Sequence, residues 1–464
     1  MKLLYSIFFT ISSLSVFGQY SSIIDFPVST VEYMGDPIVV GNIDTVFNLK
    51  VYYSIPENPV GIIYFFHGGG GSGRTWLLNV EQPYLLVEAV SRGYGIVTMD
   101  SNNRHGNRWE IKEDDNGNKI PQDDTYDTEH VWWVHQNLLN AGMYDESTPL
   151  FATGFSNGGA FTSALGLRAS SYFIENEAVL PNVNNIVPFN AIAIYGALGY
   201  YTRPSNFDTP TIFNVGYNDN RVAPYPDMTW HDDWPYGPEE TVEFSYNNLI
   251  SKGIDAEFNV KPEETANPYI FEIIPGIDSL GSNSIYESVK VAPHPANGLP
   301  FISAEDSILV NPGTNGFWKP YIPSMYQNKT PKIEQQLNVK YSGHVVFREF
   351  RDETLDFFDE NLVISSTEDD IKKNKPKLNL KSYPMPFEDQ VNISYDIGKT
   401  CDLDILIYDN EGRIVYQYLN QFHTFGSYHF VWQPGQNSKG IPKGVYHLVL
   451  RTQDWMEQLK LIKL

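Results

Sequence analysis

Residues 151–160 read FATGFSNGGA. An apolar run, short enough for a buried strand, ends at Gly154-Phe155-Ser156-Asn157-Gly158, the G-x-S-x-G pattern of a sharp strand-to-helix turn that exposes a serine hydroxyl. Glycines two positions either side of Ser156 suit such a reversal, because backbone there passes close to backbone and a Cβ would clash. The pentapeptide alone is a weak signal, so its surroundings decide the reading.

Upstream, residues 60–73 read VGIIYFFHGGGGSG, a buried-strand run followed by His67 and Gly68 to Gly71. The N–H groups of a glycine run have no side chains in the way, which suits a hole for a carbonyl oxygen that turns negative under nucleophilic attack. A phosphate cradle would place Lys-Ser/Thr next, whereas Ser72-Gly73-Arg74 follows; a merely flexible loop is the remaining alternative. Residues 94–99 (YGIVTM) and 148–153 read as further strands, and 128–140 (TEHVWWVHQNLLN) as a helix for which Asp127 is the expected N-cap. Strand and helix alternation of this kind predicts an α/β fold, a parallel sheet with helices on both faces.

A strand is also predicted over 209–215 (TPTIFNV), and Asp219 lies just past its C-terminal end, where open α/β sheets gather their site residues. Of the ten histidines, His67, His105, His130 and His135 precede Ser156, while His423, His429 and His447 lie in a separate C-terminal module. His231 follows Asp219 too closely for an intervening helix and strand, and His294 sits in an APHPANG loop with no adjoining element. His344 is favoured, because 336–341 (QLNVKY) reads as a strand, Gly343-His344 as its end, and 347–362 as an amphipathic helix closing the domain. Ser156, Asp219 and His344 then stand in nucleophile, acid, base order. His294 and a plain surface role for His344 stay open.

From about Gly61 to Val222, with the return at His344, the chain resembles the α/β-hydrolase superfamily, and within it the secreted feruloyl esterase and poly(3-hydroxybutyrate) depolymerase-like group. The residues that carry the likeness are His67-Gly68-Gly69, Asp127, Gly154 to Gly159 and Gly216 to Val222, in this order. The resemblance implies Ser156 as nucleophile, His344 as general base and then acid, Asp219 as the group orienting the imidazole, and the N–H groups of Asn157 and Gly69 as oxyanion hole. It implies a serine ester hydrolase working through an acyl-enzyme, acting on esters of polysaccharides or hydroxycinnamates and needing no cofactor. A polyester depolymerase, a peptidase of the same fold and a non-catalytic binding protein are the alternatives.

The chain departs from that group between Asp219 and His344. Residues 246–253 and 255–260 supply the expected helix and strand, so 261–334 reads as an insertion. It holds Tyr286, Phe301, Trp318, Tyr321 and Tyr326 and few charges, so it is expected to pack, and a lid over the site is the preferred reading. Trp230 and Trp234, in the stretch after Asp219, are candidate substrate-binding residues at the rim.

The ends of the chain bear on where it works. Residues 1–18 read as a signal peptide, with Lys2, an apolar run and small residues at the cleavage site, and no other stretch is long and apolar enough to span a bilayer. Residues 19–364 then form the catalytic domain, and 365–377 (SSTEDDIKKNKPK) a charged linker. Residues 378–464 alternate apolar and polar positions between turn signals, which predicts a small all-β sandwich. This module resembles the C-terminal sorting domain of the type IX (Por) secretion system of Bacteroidetes, on Tyr383-Pro384-Met385-Pro386-Phe387, Ile407 to Val415, Trp432, Gly440, Gly444-Val445-Tyr446 and the end at Leu459 to Leu464. That implies the secretion machinery as partner and a secreted or cell-surface location. A carbohydrate-binding or immunoglobulin-like module is the alternative.

Composition narrows the partners further. A 464-residue chain that is 42% hydrophobic, with one cysteine, must draw its stability from core area and has no intramolecular disulfide. Its net charge of −24 argues against nucleic acid and anionic lipid as partners. Asp114-Asp115-Asn116-Gly117-Asn118 with Asp123-Asp124 has the oxygen ligands for calcium but not the spacing, so a solvated loop is expected and no metal site.

Overall fold

A computed structural model describes residues 21–111, 126–171, 187–226, 240–362 and 380–464, apart from 296, 304, 306, 313–315, 398–400, 410–412, 424–425, 435–440 and 452–455. The predicted signal peptide, linker and acidic 114–124 stretch lie outside these residues. The chain divides into two compact units, Met1–Val363 and Ile364–Leu464.

The first unit is organised by an eight-stranded sheet. In chain order its strands are β1 (Ser29–Met34), β4 (Asn48–Ser54), β5 (Ile62–Phe66), β6 (Gly95–Met99), β7 (Leu150–Phe155), β8 (Ala191–Tyr195), β9 (Thr211–Gly216) and β10 (Ala256–Lys261); a separate ribbon pairs β2 (Ile38–Val40) with β3 (Ile43–Thr45). The spatial order is β1-β4-β6-β5-β7-β8-β9-β10. From β6 to β10 every pairing is parallel, whereas β4 runs antiparallel to both its neighbours.

The central strands read as unbroken apolar runs because helices cover both faces. Along β5, Ile62, Tyr64 and Phe66 enter one core while Ile63 and Phe65 enter the other. Helices Tyr126–Asn140 and Asn157–Arg168 bury Val131, Trp132, Phe161 and Leu165 on the first face. Helices Gln82–Ser91 and Arg351–Glu360 bury Leu85, Leu86, Leu355 and Phe358 on the second. The chain leaves β5 toward β6 on one side and returns to β7 on the other, so the strand order reverses beside β5. At such a reversal the loops beyond the C-terminal strand ends splay apart and leave a crevice.

Two local expectations are overturned. Residues 336–341 are not a strand but the last half of a helix, Thr330–Tyr341. The alternation in QLNVKY mimics a strand, but Ile333 and Leu337 one turn apart are both fully buried, and Pro331 sits where a helix tolerates it, in the first turn. Asp127 is not an N-cap: it is the second residue of its helix, and its carboxylate serves a neighbouring loop.

The segment from the end of β10 through that helix has its own core, in which Ile274, Ile285, Phe301, Trp318, Ile333 and Leu337 are buried. Helix Ser279–Lys290, capped by Asp278 through the Gly281 N–H at 2.8 Å, supplies one wall. Because Ile333 and Leu337 complete this core, it runs past residue 334 to the end of the helix. It is fastened to the sheet domain by Gln336 Nε2 to Glu81 Oε1 at 2.7 Å and by the Val80 N–H to Gln335 Oε1 at 3.0 Å.

The second unit is a sandwich of a three-stranded and a four-stranded antiparallel sheet, β11-β12-β15 and β14-β13-β16-β17, where β11 is Lys381–Tyr383, β12 Val391–Ile397, β13 Cys401–Asp409, β14 Ile414–His423, β15 Gly426–Trp432, β16 Gly444–Arg451 and β17 Met456–Lys463. Val391, Ile393 and Trp432 from one sheet meet Leu403, Ile405, Leu448 and Leu461 from the other. Phe387 fixes the chain end, its N–H bonding the Ile462 carbonyl at 2.9 Å and its carbonyl the Leu464 N–H at 2.8 Å. Among the described residues no helix is long and apolar enough to cross a membrane.

Candidate active site

Ser156 directly follows β7 with φ 56° and ψ −119°, a backbone state that costs a non-glycine residue energy and is held by its surroundings. Its N–H donates to the Tyr195 carbonyl at 2.8 Å, and helix Asn157–Arg168 starts at the next residue. The flanking glycines are there for space. A Cβ on Gly154 would run into the Gly158 carbonyl, and one on Gly158 into the carbonyls of Phe66 and His67.

Asp219 follows β9 and is fully buried. Its Oδ1 accepts the N–H groups of Arg221 at 2.8 Å and Val222 at 3.1 Å, which fixes the carboxylate plane. Both oxygens face His344, with Nδ1 2.8 Å from Oδ2 and 3.0 Å from Oδ1. A carboxylate only accepts, so Nδ1 carries the proton and Nε2 is left as a basic lone pair. The imidazole rests against the Phe155 ring, centroids 4.8 Å apart, and a Cβ on Gly196 would come within 3.2 Å of its Cε1. Phe155 precedes Ser156, and Gly196 follows the residue that binds the Ser156 N–H, so the ring lies at the serine turn.

The loop that carries His344 is locked to the loop that carries Asp219 by Ser342, itself in the left-handed region at φ 60°. The Ser342 hydroxyl accepts the Tyr217 N–H at 2.8 Å and donates to the Lys261 carbonyl; its own carbonyl accepts the Asn218 N–H at 2.9 Å. Asn218 Nδ2 adds a bond to the Tyr341 carbonyl at 2.8 Å.

Gly69 and Asn157 come together from opposite sides: a Cβ on Gly69 would stand 3.8 Å from the Asn157 Cβ. Among the described residues neither N–H has a hydrogen-bond partner. The glycine loop is shaped from beneath by His67, whose Nδ1–H donates to the Gly68 carbonyl at 2.8 Å and whose Nε2 accepts the Ser101 N–H at 3.3 Å. Burial pushes this imidazole down to about 4, so it is neutral. It is a loop support, not a base.

Sequence reading missed two supports. Trp109 donates Nε1–H to the His67 carbonyl at 2.8 Å, and its N–H to Asn157 Oδ1 at 2.7 Å, tying the glycine loop to the serine helix. Asp127 accepts the N–H groups of Asn102 at 2.5 Å and Glu110 at 2.7 Å, pinning both ends of the stretch that carries Trp109; burial raises its carboxyl to about 6. The aspartate in its pattern was visible; its long-range partners were not.

Beside Asn157 opens a cleft of about 610 Å³, walled by Ile38, Val39, Asn102, Arg108, Trp109 and Tyr126. Trp230 and Trp234 lie outside the described residues. His294 lies edge-on to Phe317 at 5.0 Å, while the imidazole on the Asp219 carboxylate is that of His344. Among the described residues no group of three or more His, Cys, Asp or Glu side chains is placed to hold a metal.

Comparison with known proteins gives the following. Among solved structures, a carboxylesterase of Bacillus cereus is similar at 13% identity over 47% of this chain and 88% of its own, with a TM-score of 0.32. A truncated carbohydrate esterase from gut microbiota matches at 14% identity over 46% and 82%, TM-score 0.28. A dienelactone hydrolase of Anabaena variabilis matches at 16% over 51% and 87%, TM-score 0.28. No curated protein matches the chain. The sheet order, the coverage of both its faces and the serine turn are those of the α/β-hydrolase fold. Residues 381–463 match the family model of the secretion system C-terminal sorting domain. The chain therefore joins an α/β-hydrolase fold to a C-terminal sorting domain, which marks it for type IX export to the cell surface or beyond.

Proposed function

We propose that this protein is an exported serine ester hydrolase with Ser156 as nucleophile, His344 as general base and Asp219 as the group that orients it. The observation that carries the reading is the two-oxygen clasp of Asp219 on His344 Nδ1, at 2.8 and 3.0 Å, beside a serine in a strained strand-to-helix turn. His344 Nε2 takes the Ser156 proton as the hydroxyl oxygen bonds to the ester carbonyl carbon. The carbonyl oxygen becomes negative and accepts the N–H groups of Asn157 and Gly69. As the tetrahedral adduct collapses, the ester bond breaks and the alcohol leaves with the proton from His344. Water then gives a proton to His344 and attacks the acyl-enzyme, and the acid departs as Ser156 regains its proton.

The substrate class is carboxylic esters, with acetyl or hydroxycinnamoyl groups on polysaccharide the members that best suit an exported enzyme. Ser156→Ala tests the chemistry on p-nitrophenyl acetate, feruloylated sugar and acetylated polysaccharide. Turnover falls at least a thousandfold while the melting temperature holds. Activity within tenfold of the unaltered enzyme on every ester rejects the mechanism.

A further inference from the structure

The cleft beside Asn157 carries a charge that ester hydrolysis itself does not require. Arg108 lies across the glycine loop: its Nε is 3.5 Å, and its Cγ 3.6 Å, from where a Cβ on Gly69 would stand. The backbone beneath it is fixed, since residues 103 and 108 pair in a β-bridge, Asn103 Oδ1 accepts the Gly106 N–H at 2.8 Å, and the Gly70 N–H bonds the Asn107 carbonyl at 2.8 Å. The guanidinium is thus carried by the same loop that positions Gly69.

Among the described residues Arg108 has neither a hydrogen bond nor an ion pair for its side chain, in a chain with 56 acidic and 32 basic residues. Other arginines are taken up by that excess of acid. Arg92 contacts Glu88, Asp352, Asp356 and Asp359, and Arg104 lies 3.8 Å from Asp100. Arg108 lines the cleft together with the apolar residues Pro37, Ile38 and Val39. Glu110 also lines it, but is engaged by other groups.

We propose that Arg108 is a specificity-determining residue that selects esters bearing a carboxylate close to the scissile carbonyl. This rests on the acyl-transfer reading above. The guanidinium fork pairs with a carboxylate in two parallel hydrogen bonds, and its place over Gly69 sets that pairing next to the carbonyl oxygen. The remainder of the substrate lies along Ile38 and Val39. The carboxylate belongs either to the acyl half, as in a dicarboxylate monoester, or to the alcohol half, as in an acylated uronic acid.

The test pairs each anionic ester with a neutral one: monoethyl adipate with ethyl hexanoate, and acetylated galacturonic acid with acetylated galactose. For the unaltered enzyme the anionic member of at least one pair has the higher kcat/KM, and that pair identifies the half that carries the charge. Arg108→Ala lowers the anionic-to-neutral ratio at least fivefold, and Arg108→Lys, which keeps a cation without the fork, retains part of it. A ratio changed by less than fivefold overturns the proposal. Calorimetric titration of the Ser156→Ala enzyme with the same four esters reads the selection without turnover. Tighter binding of an anionic member, lost on adding Arg108→Ala, upholds the assignment even if the hydrolase reading fails; equal binding within each pair refutes it.

Discussion

The Ser342 hydroxyl accepts the Tyr217 N–H at 2.8 Å across 125 residues of sequence, while the Ser342 carbonyl accepts the adjacent Asn218 N–H at 2.9 Å. Two bonds from one residue therefore set the turn that carries Asp219 against the turn that carries His344. Ser342→Gly keeps the left-handed backbone accessible and removes the CH2OH side chain with its hydroxyl bonds. We expect a loss of about 1–2 kcal/mol in stability and a fall in kcat larger than the change in KM, because the imidazole is less well held. Urea denaturation and steady-state kinetics check it; an unchanged kcat would mean that the Ser342 carbonyl bond and the Asn218 side-chain bond to Tyr341 suffice to hold the two turns.

Close approach at the serine turn makes a second prediction. A Cβ on Gly158 meets the carbonyls of Phe66 and His67, neither of which is able to move without disturbing β5 or the glycine loop. Gly158→Ala should cost about 3 kcal/mol and disable the enzyme, as expected for overpacking against backbone. Gly142→Ala is the comparison, since Gly142 has φ +67° but nothing within 4 Å of an added Cβ. It should cost roughly 1–2 kcal/mol and leave activity alone. Melting temperatures of the two variants decide whether space or backbone freedom governs each site.

How much of this was legible in the sequence follows from the range of the interactions. β5, β7 and β9 were readable because strands covered on both faces are continuous apolar runs, and each ends at a residue the site uses. Ser156, Asp219 and His344 take their positions from those strand ends and one return loop, so their order along the chain is what suggests the proposed triad. The helix Thr330–Tyr341 was misread because a six-residue window held a strand-like alternation, while Ile333 and Pro331, which reveal the helix, lay just outside it. Asp127 obeyed a local capping rule in sequence and a tertiary one in space. Its partners Asn102 and Glu110 lie 25 and 17 residues away, a separation that no local pattern encodes.

Buried histidines give stability a pH dependence of defined sign. Burial lowers His67 and His135 to about 4, below the ordinary 6.5, so the unfolded chain binds protons that the folded one does not. Their contribution is fully present above pH 6.5 and is lost as pH falls toward 4, each histidine changing it by roughly 1.4 kcal/mol per pH unit inside that window. Asp127, raised to about 6, acts in the opposite sense over part of the same range, since it takes up its proton more readily when folded. His135→Phe removes one titrating ring and leaves the Tyr144 hydroxyl its bond to Tyr64 at 2.9 Å. Stability measured by urea between pH 4.5 and 6.5 should rise less steeply with pH in this variant; an equal slope would show that His135 takes up its proton as readily in the folded chain as in the unfolded one.

The inserted segment stands on its own core, so it should loosen separately. Trp318 is fully buried there and donates Nε1–H to the Pro312 carbonyl at 2.8 Å. Trp318→Ala should remove about 3–5 kcal/mol from that core and open residues 262–341 to protease before the sheet domain is cut. If the segment also acts as the lid proposed for it, the variant changes the ratio of rates on bulky and small esters. Cleavage at unchanged rate and site would mean that the segment unfolds only with the whole domain.

The C-terminal unit has its own apolar core around Ile393, Trp432 and Leu448, and the residues that form the proposed site all lie before Leu362. Truncation after Leu362 should therefore leave kcat/KM on a soluble ester within about twofold, a change of roughly 0.4 kcal/mol in the barrier. The same truncation should stop the enzyme from reaching the cell surface in a host with a type IX system. Residues 378–464 placed behind a signal peptide and a fluorescent protein make the converse test, with the fusion appearing at the surface. A second fusion with Phe387→Ala probes the mechanism of display. Phe387 is buried in the sandwich core and packs on Trp432 with ring centroids 5.6 Å apart, so its truncation loosens that core while its backbone bonds to Ile462 and Leu464 remain. Retention of this variant inside the cell, with the parent fusion displayed, would show that the machinery reads a folded sandwich; display of both would show that it reads the terminal residues themselves.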